Sequence, residues 1–186
     1  PFGTDLIFSA TAMPSLKIAC EIGSDITLAS APSMALCETG ANVIVNLASA
    51  SEIVGRADFR RLMAKPQAHE EFARDHADSN ENESTTDSVY SAHNIICQNG
   101  KIIAESLPFE KENGEITTEI DVSLLNHFKK KSATSSAFSV KNARVIPFDL
   151  KISDIIIFSV CFIIVGTFEE SPPRPQTFSN RKNNSF

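Results

Sequence analysis

Apolar positions along this chain fall into short blocks whose spacing changes from one block to the next. Lys17–Ile22 (K-I-A-C-E-I) is a compact run ending at Gly23, which predicts a short buried strand. Pro32 and Ser33 favour a first helical turn, so the next block predicts a helix through Leu36 and Cys37, closed by Gly40. Ala41–Leu47 (A-N-V-I-V-N-L) is apolar and β-branched and predicts a second strand. Strand, helix and strand at this spacing imply an α/β layer. Asp58 to about Ala73 has a helical pattern with a charged first turn. Pro66 conflicts with it, because proline removes a helix hydrogen bond and crowds the preceding turn.

Between Ser88 and Ser106 the pattern becomes that of a hairpin, with Val89–Cys97 and Lys101–Glu105 flanking Asn99-Gly100, a type I′ turn signal. Ile116–Val122 predicts another strand, Leu124, Leu125 and Phe128 a short helix, and Ala143–Leu150 one strand more. Two stretches resist this scheme. Arg74–Glu83 (R-D-H-A-D-S-N-E-N-E) has the polar, acidic composition of a disordered loop. Ile155–Phe168 is an uncharged run too short for an ordinary membrane span, and is read as a buried strand pair. The tail beyond it, with Pro172, Pro173 and Pro175, reads as disordered. No internal repeat is present.

Composition narrows the field. A chain of 186 residues suits one domain, and its 42% hydrophobic and 22% charged content is that of an ordinary globular protein. A net charge of −6 argues against nucleic acid, whose phosphates select clustered Lys and Arg. The one basic cluster, Lys129, Lys130 and Lys131 with Lys141 and Arg144 nearby, reads as a solvated helix end. Cys20, Cys37, Cys97 and Cys161 form no C-x-x-C pair, so neither a zinc site nor a redox motif is indicated. Cys20 and Cys37 are read as buried reduced thiols in a cytoplasmic protein. The chain starts at Pro1 with no signal peptide ahead of it, so a processed or partial reading frame is expected, and no membrane association.

Several short motifs go further. Pro1–Phe8 (P-F-G-T-D-L-I-F), Glu21-Ile22-Gly23-Ser24-Asp25, Pro32-Ser33, Gly40-Ala41, Asn46-Leu47, Gly55-Arg56 and Arg60-Arg61 occur in order. Glu83-Ser84-Thr85-Thr86-Asp87 follows, and His93–Ser106 continues almost without a gap. Together they resemble the glutaminase (carbon–nitrogen hydrolase) domain of glutamine-dependent NAD synthetases, whose E-S-T-T-D motif sets them apart from general nitrilase-type amidases. The resemblance covers about residues 1–150, a partial amidotransferase domain; residues 151–186 are a divergent apolar run and tail. It implies a nitrilase-like four-layer αββα sandwich, here incomplete.

The resemblance also implies a reaction. A Cys thiolate attacks the glutamine side-chain amide, a Glu carries the proton and a Lys steadies the oxyanion, so that a thioester forms and ammonia leaves. The ammonia would pass to a separate synthetase domain, to which alone ATP and Mg belong; this chain is expected to hold no cofactor and no metal. In E-I-C-E-D the nucleophile falls on Gly23 and the next Glu on Ser24, so the nucleophile position is vacated. The family's Glu and Lys precede the segment matched at Pro1 and are expected to lie outside the chain. The last Ser of the family's N-L-S-A-S run, which contacts glutamine, aligns with Ala50, and Ser49 and Ser51 would face the wrong side of a strand. Arg56 matches the Lys or Arg that binds glutamine. Just before E-S-T-T-D the family has an apolar strand where this chain has Asp75–Asn82. Unpartnered acids in a core cost several kcal/mol, so a loop or an unclosed domain is expected there.

Other constellations are weaker. His69 and His76, with Glu70, Glu71 and Asp75, lack the i, i+4 ligand pair of a helical zinc site. His93 reads as a satisfied structural histidine, and Ser24-Asp25 has no histidine near it in sequence. Cys20, three residues before Gly23, reads as structural. Three functions remain open. The first is an inactive piece of the amidotransferase that binds glutamine weakly or not at all, as a homo-oligomer or beside a synthetase domain. The second is a non-catalytic nitrilase-like binding or oligomerisation module. The third is an active amidase using Cys20 or a complementing subunit.

Overall fold

The computed structural model describes residues 3–68, 73–79, 81–110, 116–131, 143–149 and 160–162. Two strands open the chain, β1 (Leu6–Ala10) and β2 (Lys17–Ile22), the second with the predicted bounds. The helix α1 (Pro32–Thr39) starts at its proline and stops at Gly40, whose amide returns to the carbonyls of Leu36 and Cys37. It is followed by β3 (Val43–Leu47). The second helix, α2 (Arg56–Gln67), begins two residues before the sequence places it and ends well short of Ala73. Pro66 lies one residue from its end, so the helix stops just after it, and Ala68 N–H caps the turn onto Ala64 and Lys65.

The predicted loop at 74–83 is corrected by the structure: Ala73–Ala77 is β4, in the interior of the sheet. Polarity alone misjudged it, because Arg74 and His76 find polar partners on the helix face, while Asp75 is buried on the other. The hairpin is shorter than its pattern, β5 (Ile95–Gln98) and β6 (Lys101–Glu105). Ala92 has φ +51°, which breaks the extended run from Val89, while Asn99 (φ +51°) and Gly100 (φ +68°) make the expected I′ turn. Then come β7 (Thr118–Ile120), α3 (Val122–Lys131), β8 (Arg144–Phe148) and β9 (Val160–Phe162). Apart from β9, the run Ile155–Phe168 and the tail lie outside the described residues, as does His69.

Seven strands form one mixed sheet in the order β6-β5-β4-β3-β2-β1-β8, with β2, β3 and β4 parallel. Pro147 is tolerated in β8 because that strand is an edge. On one face α1 packs Leu36 and Cys37 against Ile7, Ala19 and Ile44, and α2 packs Ala64 against Ile95 and Cys97. On the other, Ile120 of β7 with Val122 and Leu125 of α3 covers Ala10, Val43, Ala73 and Ile96. The architecture is therefore α/β, with helices on one face of the sheet and a smaller layer on the other. That second layer covers only part of its face: Cys20 is exposed and Ile22 is 70% exposed, so Cys20 is not the buried thiol its apolar run suggests. Within the basic cluster Lys130 and Lys131 are exposed, whereas the Lys129 amine donates to the carbonyls of Cys37 and Ala41 at the carboxyl end of α1.

Candidate functional site

The carboxyl ends of parallel strands are where an open α/β sheet leaves a crevice. In this chain β2 runs into a 3₁₀ turn at Gly23–Thr27, β3 into an irregular segment from Ala48, and both open towards the start of α2. A cavity of about 270 Å³ lies there. Its wall is made of Gly23, Ser24, Ile26 and Thr27 after β2, Ala48, Ser49 and Ala50 after β3, His76 on β4, and Arg56, Phe59, Arg60 and Met63 on α2. The three positions singled out in the sequence, Gly23, Ala50 and Arg56, thus meet around one space.

Each reaches it for a local reason. Gly23 has φ +62°, a conformation that L side chains rarely adopt, and a Cβ added there would meet nothing within 4 Å. Arg56 is the first residue of α2, and its buried Nε has no hydrogen-bond partner among the described residues. Ala50 N–H donates to Asp78 Oδ1 at 3.2 Å, which pins the segment after β3. That segment is no strand, so the expectation that Ser49 faces away is corrected: Ser49 lines the cavity beside Ala50. Ser51 turns instead towards Ser88, with the two hydroxyl oxygens 3.5 Å apart.

Two buried polar networks hold the walls. In the first, Arg60 Nη1 donates to Glu52 Oε2 at 2.6 Å, and its Nη2 lies 2.6 Å from Asp78 Oδ2. Arg60 Nη1 also approaches His93 Nδ1 at 3.2 Å, and His93 Nε2 lies 2.8 Å from Glu105 Oε1. Arg60 can only donate, so His93 accepts at Nδ1 and donates from Nε2. Burial lowers the pKa of this ring against the opposing pull of Glu105, which keeps it neutral. Burial works against Glu52, but hydrogen bonds from Ser91 and Arg60 hold it below the usual carboxylate range. His93 is structural, as its place in the hairpin suggests.

The second network lies directly beneath Gly23. Arg74 pairs with Glu21, both fully buried, and its Nη2 donates to Ser33 Oγ at 2.7 Å. Asn46 Nδ2 donates to Glu21 Oε1 at 3.3 Å and to the Gly23 carbonyl at 3.4 Å, while Asn46 Oδ1 lies 2.8 Å from His76 Nδ1. These are the residues the sequence missed as a group. Arg74 and His76 were hidden in an acidic stretch that does not look like a core strand. His76 is not a metal ligand on a helix shared with Asp75: both lie on β4, where consecutive side chains point to opposite faces. The fold also brings a histidine to the same cavity as Ser24, a pairing that distance in sequence concealed.

The E-S-T-T-D motif does not line the cavity. Its side chains are exposed and build a tight turn, in which Thr85 Oγ1 accepts from Asp87 and Ser88 and Ser84 Oγ accepts from the Tyr90 amide. That turn delivers Val89, whose carbonyl receives the Glu52 amide at 2.7 Å, and Ser91, which donates to Glu52 at 2.7 Å. None of the cavity-lining residues is a cysteine. Cys37 and Cys97 are buried elsewhere, their thiols pushed by burial up to about 12 and about 11. Among the described residues no group of three His, Cys, Asp or Glu side chains is arranged to hold a metal, and no helix is long and apolar enough to cross a membrane.

No protein-family profile matches the chain. Glutamine-dependent NAD(+) synthetases of Mycobacterium tuberculosis and Mycobacterium leprae are 34% and 33% identical to it over 134 and 135 residues. Each match takes in 72% of this chain and 20% of the relative. Among solved structures, the glutamine-dependent NAD+ synthetase of Acinetobacter baumannii superposes with a TM-score of 0.52 at 16% identity, over 60% of this chain and 20% of that one. Nit3 of Saccharomyces cerevisiae, a member of the nitrilase superfamily, superposes with a TM-score of 0.51 at 18% identity, over 65% of this chain and 43% of its own. The structural likenesses establish a nitrilase-type fold. The sequence identities show that this chain, which spans about a fifth of the length of these curated relatives, is similar to part of a glutamine-dependent NAD(+) synthetase.

Proposed function

We propose that this chain is a non-hydrolysing form of the glutamine-handling part of that enzyme, with residues 1–150 as the amidotransferase-like unit. The observation that carries the reading is Gly23. A thioester needs a thiol beside the bound amide, and the position the family fills with cysteine has no side chain here, only open room continuous with the cavity. Losing one member of a catalytic unit can cost about a million-fold in rate. Cys20 is no substitute, because it lies on the opposite face of β2 from Glu21 and the helices.

What remains supports ligand binding. Arg56 offers a cation whose buried Nε is unpartnered, suited to the carboxylate of an amino acid. Ser49 and the backbone around Ala50 are held in place by Asp78. The natural ligand of such a pocket is glutamine, which the relatives' name specifies for them. In the parent reaction ammonia would pass to a synthetase domain using ATP and magnesium. ATP and magnesium would belong to that domain, and no step proposed here runs through them.

Ammonia release from L-glutamine, followed beside calorimetric titration of the purified chain, tests the reading. The expected outcome is saturable binding with no ammonia above the uncatalysed rate. Ammonia release abolished by Cys20→Ala would overturn it in favour of an active amidase.

A further inference from the structure

The cavity contains one buried acceptor that nothing in the fold uses. His76 is 4% exposed, lines the wall, and its Nε2 has no hydrogen-bond partner among the described residues. Which protonation form it takes is set by its neighbours. Asn46 Nδ2 faces two acceptors, Glu21 Oε1 and the Gly23 carbonyl, so the amide cannot be turned around without losing both bonds. Asn46 Oδ1 therefore faces His76 and can only accept, which places the imidazole proton on Nδ1. Glu21 is itself held by Arg74. The chain of orientation runs from Arg74 through Glu21 and Asn46 to His76, and it ends in a lone pair at the cavity wall.

We propose that His76 is the selectivity residue of this cavity, accepting a hydrogen bond at Nε2 from an N–H or O–H group of the ligand, so that a carboxamide is taken and the corresponding carboxylate is refused. The proposal rests on the reading of the cavity as an amino-acid pocket, and it adds how the side-chain end of the ligand is told apart. A carboxamide presents two N–H donors to the lone pair. A carboxylate presents only lone pairs and would leave both partners buried and unpaired, the arrangement that discriminates most strongly between polar ligands. Burial first, then the charges of Arg60 and Arg74, keeps the ring neutral, so it cannot become a donor to an acid ligand at neutral pH.

Titration of the whole chain with four probes, L-glutamine, L-glutamate, acetamide and acetate, followed by the ring nitrogen resonances of His76, tests this directly. The free protein should show Nδ1 protonated and Nε2 bare. Both amides should move the Nε2 resonance, and both acids should leave it in place. His76→Phe keeps the ring shape and removes the acceptor, and it should weaken glutamine binding by about tenfold while abolishing the preference over glutamate. Nε2 protonated in the free protein, or equal binding of glutamine and glutamate, overturns the proposal and needs no variant to fold. Acetamide that perturbs His76 while L-glutamine does not bind upholds the proposal and overturns the glutamine reading alone. Glutamine binding that leaves Nε2 unmoved overturns this proposal alone, and failure of both amides overturns the two together.

Discussion

Adjacent residues on β4 titrate in opposite senses, and separating them gives the sharpest check on the fold. Asp75 projects from the sheet between Val45 of β3 and Ile96 of β5, and its Oδ2 has no partner among the described residues. Burial raises its carboxyl from 3.8 to about 7. As pH rises from about 4 to 7 the unfolded chain sheds this proton and the folded chain keeps it, so Asp75 lowers stability across that window. Next to it, burial and the charges of Arg60 and Arg74 hold His76 at about 3 against the usual 6.5. As pH falls from 6.5 towards 3 the unfolded chain takes up a proton and the folded chain does not, so His76 lowers stability in the acid direction. Each displacement is about three pH units, or about 4 kcal/mol in full. Between pH 4 and 6.5 the two slopes nearly cancel. Asp75→Val removes one of them and suits a strand flanked by Val45 and Ile96. The gain in stability over the parent should be about 3 kcal/mol larger at pH 7.5 than at pH 4.5, which is roughly 6–12 °C in Tm for a chain of this size. Taking differences against the parent cancels Glu52 and Glu105, whose lowered carboxyls favour the fold at higher pH. Urea unfolding at four pH values from 4.5 to 7.5 is the assay. A gain independent of pH, or a variant less stable than the parent at pH 7.5, would refute a buried, uncharged Asp75.

Other outcomes follow from the same contacts. His76→Phe should reverse the trend, gaining on the parent by about 3 kcal/mol as pH falls from 7.5 to 4.5, measured by the same unfolding series. Arg74→Met leaves Glu21 buried without its cation and should cost about 3–5 kcal/mol, whereas Arg74→Met with Glu21→Met should recover most of the loss. Iodoacetamide at pH 8 should modify Cys20, slowed by the partial burial that raises its thiol pKa, and leave Cys37 and Cys97 unmodified until the chain unfolds, as peptide mass spectrometry would show. Gly23→Cys meets no clash but forces a side chain onto φ +62°, and should lower stability by about 1–2 kcal/mol, read as a shift in the urea midpoint.

The elements that were legible in sequence are those whose inward side chains are apolar. In K-I-A-C-E-I and V-I-V-N-L, Ala19 and Ile44 meet α1 while Ile18 and Val43 pack on the opposite layer, and Asn99-Gly100 is a turn because few other pairs accept two positive φ angles. β4 was illegible for the opposite reason. Arg74 and His76 face the helices and find partners in Glu21, Ser33 and Asn46, residues 30 to 53 positions away, whereas Asp75 faces the other side of the sheet. No local window contains those partners, so the stretch reads as a solvated loop. The site divides in the same way. Gly23, Ala50 and Arg56 came from motif spacing, while Arg60, Ser49 and His76 required the fold to bring three strand ends and one helix together.

Gly23 and the polar β4 are joined in space. Asn46 donates to both the carbonyl of Gly23 and the carboxylate that neutralises Arg74, so the network that makes the polar strand tolerable also floors the cavity at Gly23. In that network Glu21 Oε2, Arg74 Nε and His76 Nε2 have no hydrogen-bond partner among the described residues, and of the three residues only His76 lines the cavity wall. An apolar strand would have left Glu21 with no cation beneath Gly23. Restoring a thiol at Gly23 alone would therefore set it above a floor built around Arg74 and His76, and the two changes have to be tested together if hydrolysis is to be recovered.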